Sequence, residues 1–161
     1  LQQSIIAALI NPRHQAYLLA RRNRFMGRWL THGEGYPDWI LRLFHRDHGR
    51  WDPSPVHEKV IGVDNPGRLQ GDLLHESEQG IELYLEKQNR YSTTQAKAMV
   101  ASDRKVGARH VVINPLLRFG KFYFLRLGLL DGLPGFVHIV TGAFFTGIKY
   151  AKVLALRRRQ G

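Results

Sequence analysis

Residues 21–58, RRNRFMGRWLTHGEGYPDWILRLFHRDHGRWDPSPVHE, hold all three tryptophans of the chain and four of its eight histidines, set among arginines and glycines and closing on the acid Glu58. So polar and aromatic a stretch is not an ordinary core segment. Within it, Thr31 to Pro37 (THGEGYP) reads as a glycine-bearing loop, where Gly33 and Gly35 permit backbone angles or close approaches that other residues resist. Trp39 to Phe44 (WILRLF) alternates as a strand buried on one face, and HRDHGR after it is a turn. Pro53 and Pro55 hold the approach to VHEKVIGV extended, and Val56, Glu58 and Val60 alternate against His57 and Lys59 as a further strand. Glu58 then shares a face with valines. An acid so placed is either salt-bridged or held with a raised pKa for proton transfer.

Outward from this stretch the pattern alternates helix and strand. Gln2 to Leu9 reads as the last turns of a helix stopped at Asn11-Pro12, and Gln15 to Ala20 as a strand entering the basic RRNR run. Arg21, Arg22 and Arg24 form either a solvated edge or a phosphate contact. Beyond the turn at Asn65-Pro66-Gly67, Arg68 to His75 is another strand, and a lone histidine at a strand end is most often a structural hydrogen-bonder. Ser77 is placed to cap a helix running to about Ser102, with Glu78 and Glu82 against its dipole and Ile81, Tyr84, Leu85, Tyr91 and Met99 as its apolar stripe. Lys87, Arg90 and Lys97 give that helix a basic face.

From Asn114 to Leu156 the chain is rich in Leu, Phe, Gly and Tyr. Gly132 to Ile148 carries no formal charge but holds Pro134 and His138 and falls short of a comfortable membrane span. These residues are expected to form amphipathic helices in a membrane interface, with Lys121, Arg126, Lys149, Lys152 and Arg157 to Arg159 facing phosphates. The other reading is a pair of core helices. The expected organisation is therefore residues 1–112 as an α/β unit and 113–161 as a helical, membrane-associated tail.

A chain of 161 residues with 43% hydrophobic content buries one modest core. Its 24 Lys and Arg against 13 Asp and Glu give a net charge of +11, which favours an anionic partner: nucleic acid, a phosphorylated sugar or an acidic membrane face. Nucleic acid is set aside because the Trp and Tyr residues form no recognisable stacking platform. The absence of cysteine removes disulfide and thiolate chemistry and fits a reducing compartment. There is no H-E-x-x-H zinc motif and no G-x-S-x-G nucleophile.

Taken in order, residues 21–51 (RRNRFMGRWLTHGEGYPDWILRLFHRDHGRW), VHEKV (56–60), LLHES (73–77), YLEKQNRYST (84–93), FLRLGLLDGLPGF (124–136) and FFTGIKYAKV (144–153) resemble the C-terminal half of bacterial family 2 glycosyltransferases. Within that family they are most similar to the group that adds a sugar to the lipopolysaccharide inner core. The resemblance implies a partial GT-A type α/β fold, its C-terminal half, with a nucleotide-sugar donor, a lipopolysaccharide core acceptor and a divalent cation, Mg or Mn. It places the enzyme in the cytoplasm, peripheral on the inner face of the inner membrane. It implies Glu58 as general base, His75 as a metal contact and the loop Gly33 to Pro37 closing over the donor sugar. Arg21, Arg22, Arg28, Trp29, Gly33, Gly35, Tyr36, Asp38 and Arg42 are the expected substrate-binding residues. The family's metal-binding Asp-x-Asp occurs nowhere in the chain, and the first residue is Leu, so the chain reads as the acceptor and membrane half of an enzyme. The competing reading is a catalytically inactive module that binds a membrane surface.

Overall fold

The structure is a computed structural model and describes residues 1–52, 59–76 and 80–159. It is a mixed helix and sheet fold in which β1 (Ala16–Phe25) is the central strand. Along one edge β1 pairs antiparallel with β2 (Arg28–Trp29) and β3 (Asp38–Phe44), and along the other it runs parallel to β6 (Gly67–Glu76). The short strands β4 (Arg50–Trp51) and β5 (Val60–Ile61) form a separate antiparallel ladder. The link from β1 to β2 is a two-residue hairpin in which Met26 and Gly27 both take positive φ, 48° and 75°. That is the mirror-image turn whose twist matches a right-twisted strand pair.

Helix α1 (Gln2–Ile10) ends where Asn11 leaves helical angles ahead of Pro12. It lays Ala8, Leu1 and Ile5 on the sheet against Tyr17, Leu19 and Leu69, and this is the first core cluster. Each large side chain so buried contributes roughly 1.5–3 kcal/mol. Tyr17 also accepts hydrogen bonds at its hydroxyl from the backbone N–H of Arg13 and His14, which shapes the helix-to-strand link.

The second core is helical. Helix α2 (Ile81–Ala101) and α3 (Arg109–Gly120) both pack on α4 (Gly132–Arg158), joining Ala96 and Met99 to Tyr150 and Val153 with Val106 and Val111 at the margin. Between α3 and α4 the chain passes through a π-helical turn (121–125) and a 3-10 turn (128–131). The face of α2 turned to this core is Ser92, Ala96 and Met99, whereas Ile81, Leu85 and Tyr91 of the expected stripe are exposed. On α4, Gly142 and Gly147 let α3 and the Arg118–Glu34 pair come close, and a Cβ at Gly147 would stand 3.1 Å from the Val111 carbonyl oxygen. Ser77 and Glu78, expected at the start of α2, and the strand expected over Val56 to Glu58 lie outside the described residues.

Several charges expected to face phosphates are instead engaged within the fold. Arg126 donates to the Tyr36 and Pro37 carbonyls, at 3.0 and 3.3 Å. Lys152 donates to Asn89, Ser92 and Thr93 of α2, and Arg157 to the Arg104 carbonyl. Lys149 is half-buried, and burial followed by the field of Arg118 lowers its pKa. The physical reason is that α4 is a packed helix, so its polar side chains lie over α2 and α3 rather than over open solvent.

Candidate active-site cavity

A cavity of about 520 Å³ opens where the ends of β1 and β6 meet α2, α3 and α4. Alternate residues of β1, Arg21, Asn23 and Phe25, line it, joined by Arg24 at the strand's end. Sheet register supplies two ion pairs on its wall. Arg21 lies directly across from Asp38 on β3, and its Nε donates to Asp38 Oδ2 at 2.9 Å. Arg24 lies opposite Glu76 on β6 and is paired with it. A third pair joins distant segments: Arg118 of α3 donates from Nε to Glu34 Oε2 at 3.2 Å and from Nη1 to Thr146 Oγ1 at 2.7 Å. The backbone of α4 passes beneath this pair at Gly142, where a Cβ would stand 2.8 Å from Glu34 Oε2.

Aromatic groups pack together in the interior. The rings of Phe25 and Tyr84 lie 4.9 Å apart, edge to face, and His138 of α4 contacts both, 5.2 Å from Phe25 and 5.8 Å from Tyr84. Burial is the main cause that lowers the His138 pKa, and its Nδ1 is a buried atom with no hydrogen-bond partner among the described residues. Burial also raises the Tyr84 phenol, reinforced by the Glu34 charge. His75 has its pKa lowered by partial burial and then by Arg21 and Lys87, which favours the neutral imidazole. Lys87 and Tyr91 of α2 complete the wall, with the ammonium 5.8 Å from the Tyr91 ring centre.

The loop 31–37 is tied down along its length by the C-terminal third of the chain. Asp131, 1% exposed, accepts hydrogen bonds from Thr31 Oγ1 (2.8 Å), Thr31 N–H (3.1 Å) and His32 N–H (2.8 Å). Burial works to raise its pKa, but these hydrogen bonds outweigh it and hold the carboxyl below its usual range. Gly33 donates its N–H to the Arg126 carbonyl at 2.8 Å. Its φ of +65° and its position against Gly128 and Ile139 suit glycine. The peptide bond before Pro37 is cis.

Of the residues proposed from sequence, the fold brings Arg21, Asp38 and His75 to the cavity. Arg22 stands 3.6 Å from Asp72, whose carboxylate accepts the Tyr36 hydroxyl at 2.9 Å, and neither Arg22 nor Tyr36 lines the cavity. Arg28 reaches the Leu130 carbonyl, and Trp29 lies beneath the Arg24 guanidinium. Gly35 packs on Leu30 and accepts a hydrogen bond from Asn23 Nδ2 at 3.0 Å. Arg42 lies over the Trp51 ring, away from the cavity. Glu58 falls outside the described residues. Sequence reasoning passed over Glu34, Arg118 and the cavity role of His138, and it placed Lys87 only on a basic helix face. Glu34 and Arg118 are 84 positions apart, a pairing no local pattern announces.

Among the described residues no group of three or more His, Asp or Glu side chains is arranged to hold a metal ion. Among those residues His75 offers the expected cation one imidazole with no ligand set of three around it.

Three curated proteins frame this geometry. Over 116 residues, 70% of this chain and 43% of the other, the sequence is 35% identical to a lipopolysaccharide core biosynthesis glycosyltransferase of Rhizobium meliloti. It is 31% identical over 106 residues to an uncharacterized glycosyltransferase of Rickettsia prowazekii, covering 62% of this chain and 36% of the other. A second such protein, from Rickettsia typhi, is 32% identical over 114 residues, 66% of this chain and 39% of the other. The chain thus spans less than half the length of these relatives. No protein-family model and no solved structure matches it significantly. Over the matched span the chain is a sequence relative of bacterial glycosyltransferases, one of which is named for lipopolysaccharide core biosynthesis.

Proposed function

We propose that this chain is the acceptor-side portion of an inverting glycosyltransferase that moves a sugar from a nucleotide-sugar to a lipopolysaccharide core acceptor. The observation that carries the reading is the 35% identity over 116 residues to a core biosynthesis glycosyltransferase. The cavity supports it, because charged hydrogen-bonding groups around aromatic rings suit a sugar, which presents hydroxyls at its edges and C–H groups on its faces.

In this mechanism Glu58 takes the proton of the acceptor hydroxyl while that oxygen attacks the anomeric carbon from the face opposite the leaving group. The bond from that carbon to the diphosphate oxygen breaks, and its electron pair leaves with the nucleoside diphosphate. A base is needed because a protonated sugar hydroxyl is a weak nucleophile. Arg21 and Asp38 orient polar groups of the substrates at the cavity wall. The bound cation of the complete enzyme would supply further charge neutralisation, with His75 as its proposed contact in this chain.

The test is transfer itself. A protein containing this chain together with a nucleotide-sugar-binding half is incubated with a panel of labelled nucleotide-sugars and core lipopolysaccharide. Label appearing in the lipopolysaccharide with inverted anomeric configuration is the expected result. Failure of every donor to label it contradicts the reading.

A further inference from the structure

Glu34 stands between two glycines that pack closely without side chains, Gly33 against Gly128 and Gly35 against Leu30. The rest of the loop is held from outside the cavity. Asp131 takes Thr31 and His32, and Arg126 donates to the carbonyls of Tyr36 and Pro37. Within residues 31–37 Glu34 is the one that lines the cavity, and its partner Arg118 lines it too. The pair is a fork on a fork: Arg118 Nε and Nη2 donate to the two carboxylate oxygens. Arg118 Nη1 donates to Thr146 Oγ1, which in turn donates to the Gly142 carbonyl. One planar guanidinium thereby joins the loop, α3 and α4. A half-buried ion pair adds little net stability, because desolvation offsets the attraction, whereas two parallel hydrogen bonds fix distance and direction.

We propose that Arg118 and Glu34 are positioning residues of the transfer step: the pair holds the middle of the glycine loop at one spacing from α3 and α4, and so keeps the cavity wall in the shape in which the acceptor hydroxyl and the anomeric carbon meet. The inference rests on the sugar-transfer reading and adds to it two residues that act through the wall rather than on the reacting atoms. When reactants are already bound, a misplacement of about 1 Å costs on the order of 100-fold in rate. The effect therefore belongs to the rate of the bound complex and not to the affinity for either substrate. Gly142 supplies an independent handle on the same pair. A Cβ there would stand 2.8 Å from Glu34 Oε2 and 3.2 Å from Arg118 Nη2, so Gly142→Ala pushes the pair from beneath and leaves every charge in place. Alanine is also the better helix former, so the change does not weaken α4 itself.

The experiment uses the complete enzyme and reads single-turnover transfer to core lipopolysaccharide at saturating substrates, the KM of each substrate, and thermal unfolding. Glu34→Gln and Arg118→Met should each slow transfer by about tenfold or more, with both KM values within about threefold of the parent. The double variant should be no slower than the slower single, because each change removes the same pair. Gly142→Ala should slow transfer at least about threefold with no fall in unfolding temperature, a combination that loss of fold does not produce. A parent-like rate in Glu34→Gln or in Gly142→Ala overturns the proposal. So does a double variant whose loss is the product of the two single losses, or a slowing that comes with an equal rise in KM. If Arg118→Met does not fold, Glu34→Gln and Gly142→Ala decide. Absence of transfer by the parent sinks the sugar-transfer reading and this inference with it, whereas parent transfer that these variants leave untouched sinks this inference alone.

Discussion

Asp131 fixes the geometry of the glycine loop with one side chain. Its carboxylate takes the two consecutive N–H groups of Thr31 and His32 together with the Thr31 hydroxyl, so an otherwise irregular segment gains a buried anchor. Replacement by Ala leaves those donors without their acceptor. Asp131→Ala is expected to lower unfolding stability by about 3 kcal/mol, measured by urea titration. Because the folded carboxyl has its pKa below the usual carboxylate value, its contribution is complete above about pH 4 and is lost as pH falls through the folded pKa. The difference between parent and Asp131→Ala should therefore be largest near neutrality and shrink in acid. A difference that grew on acidification would contradict the assignment. None of this was legible beforehand: Asp131 reads as one acid in an apolar run, and its partners lie about 100 positions away.

At the level of elements, local pattern located most of what is present. Pro12 marked the end of α1, and the alternation in WILRLF marked β3. The basic run RRNR continued β1 rather than ending it, because Arg21, Arg22 and Arg24 each have an acid nearby, in Asp38, Asp72 and Glu76. For helix α2 the reading held in part: Met99 and Tyr84 of the expected stripe face inward, whereas Ile81, Leu85 and Tyr91 face outward and Ser92 and Ala96 take their place against the core. Segment 128–158 has the length and apolar character to cross a membrane, yet 44% of its apolar window is buried inside the fold. What it leaves outside is a broad apolar surface with α3 and the turns between them, including Leu116 and Leu117, each 65% exposed, and Leu125, 81% exposed. A surface of that kind suits a membrane interface, with Lys121 and Arg109 exposed beside it. Leu116→Glu combined with Leu125→Glu is expected to reduce co-sedimentation with anionic vesicles at least about tenfold while leaving thermal unfolding nearly unchanged. Equal sedimentation of parent and variant would remove this face from the account. Deleting α4 is a different matter, because Tyr150 and Val153 complete the α2 core, so cooperative unfolding should disappear with it. A truncated chain ending at residue 131 that unfolded with parent-like cooperativity would contradict that core assignment.

On the scale of the whole molecule, the helices after residue 109 share in the cavity as well as flanking it: Arg118 and His138 stand on its wall with Arg21, Asp38 and His75. Of the segments that carried the resemblance, LLHES brings His75 to this wall, and the sequence relatives of the matched span are glycosyltransferases. What could not be read was which cations are matched and which are left over, because matching is set by sheet register and by loop-to-helix contacts, not by spacing along the chain. The central claim remains that residues 21–58 contribute a base to glycosyl transfer. It is tested most directly by Glu58→Gln in the complete enzyme, measuring single-turnover sugar transfer beside the affinity for the nucleotide-sugar. The account predicts a fall in transfer of about 100-fold or more with donor affinity nearly intact. Transfer at close to the parent rate would contradict it.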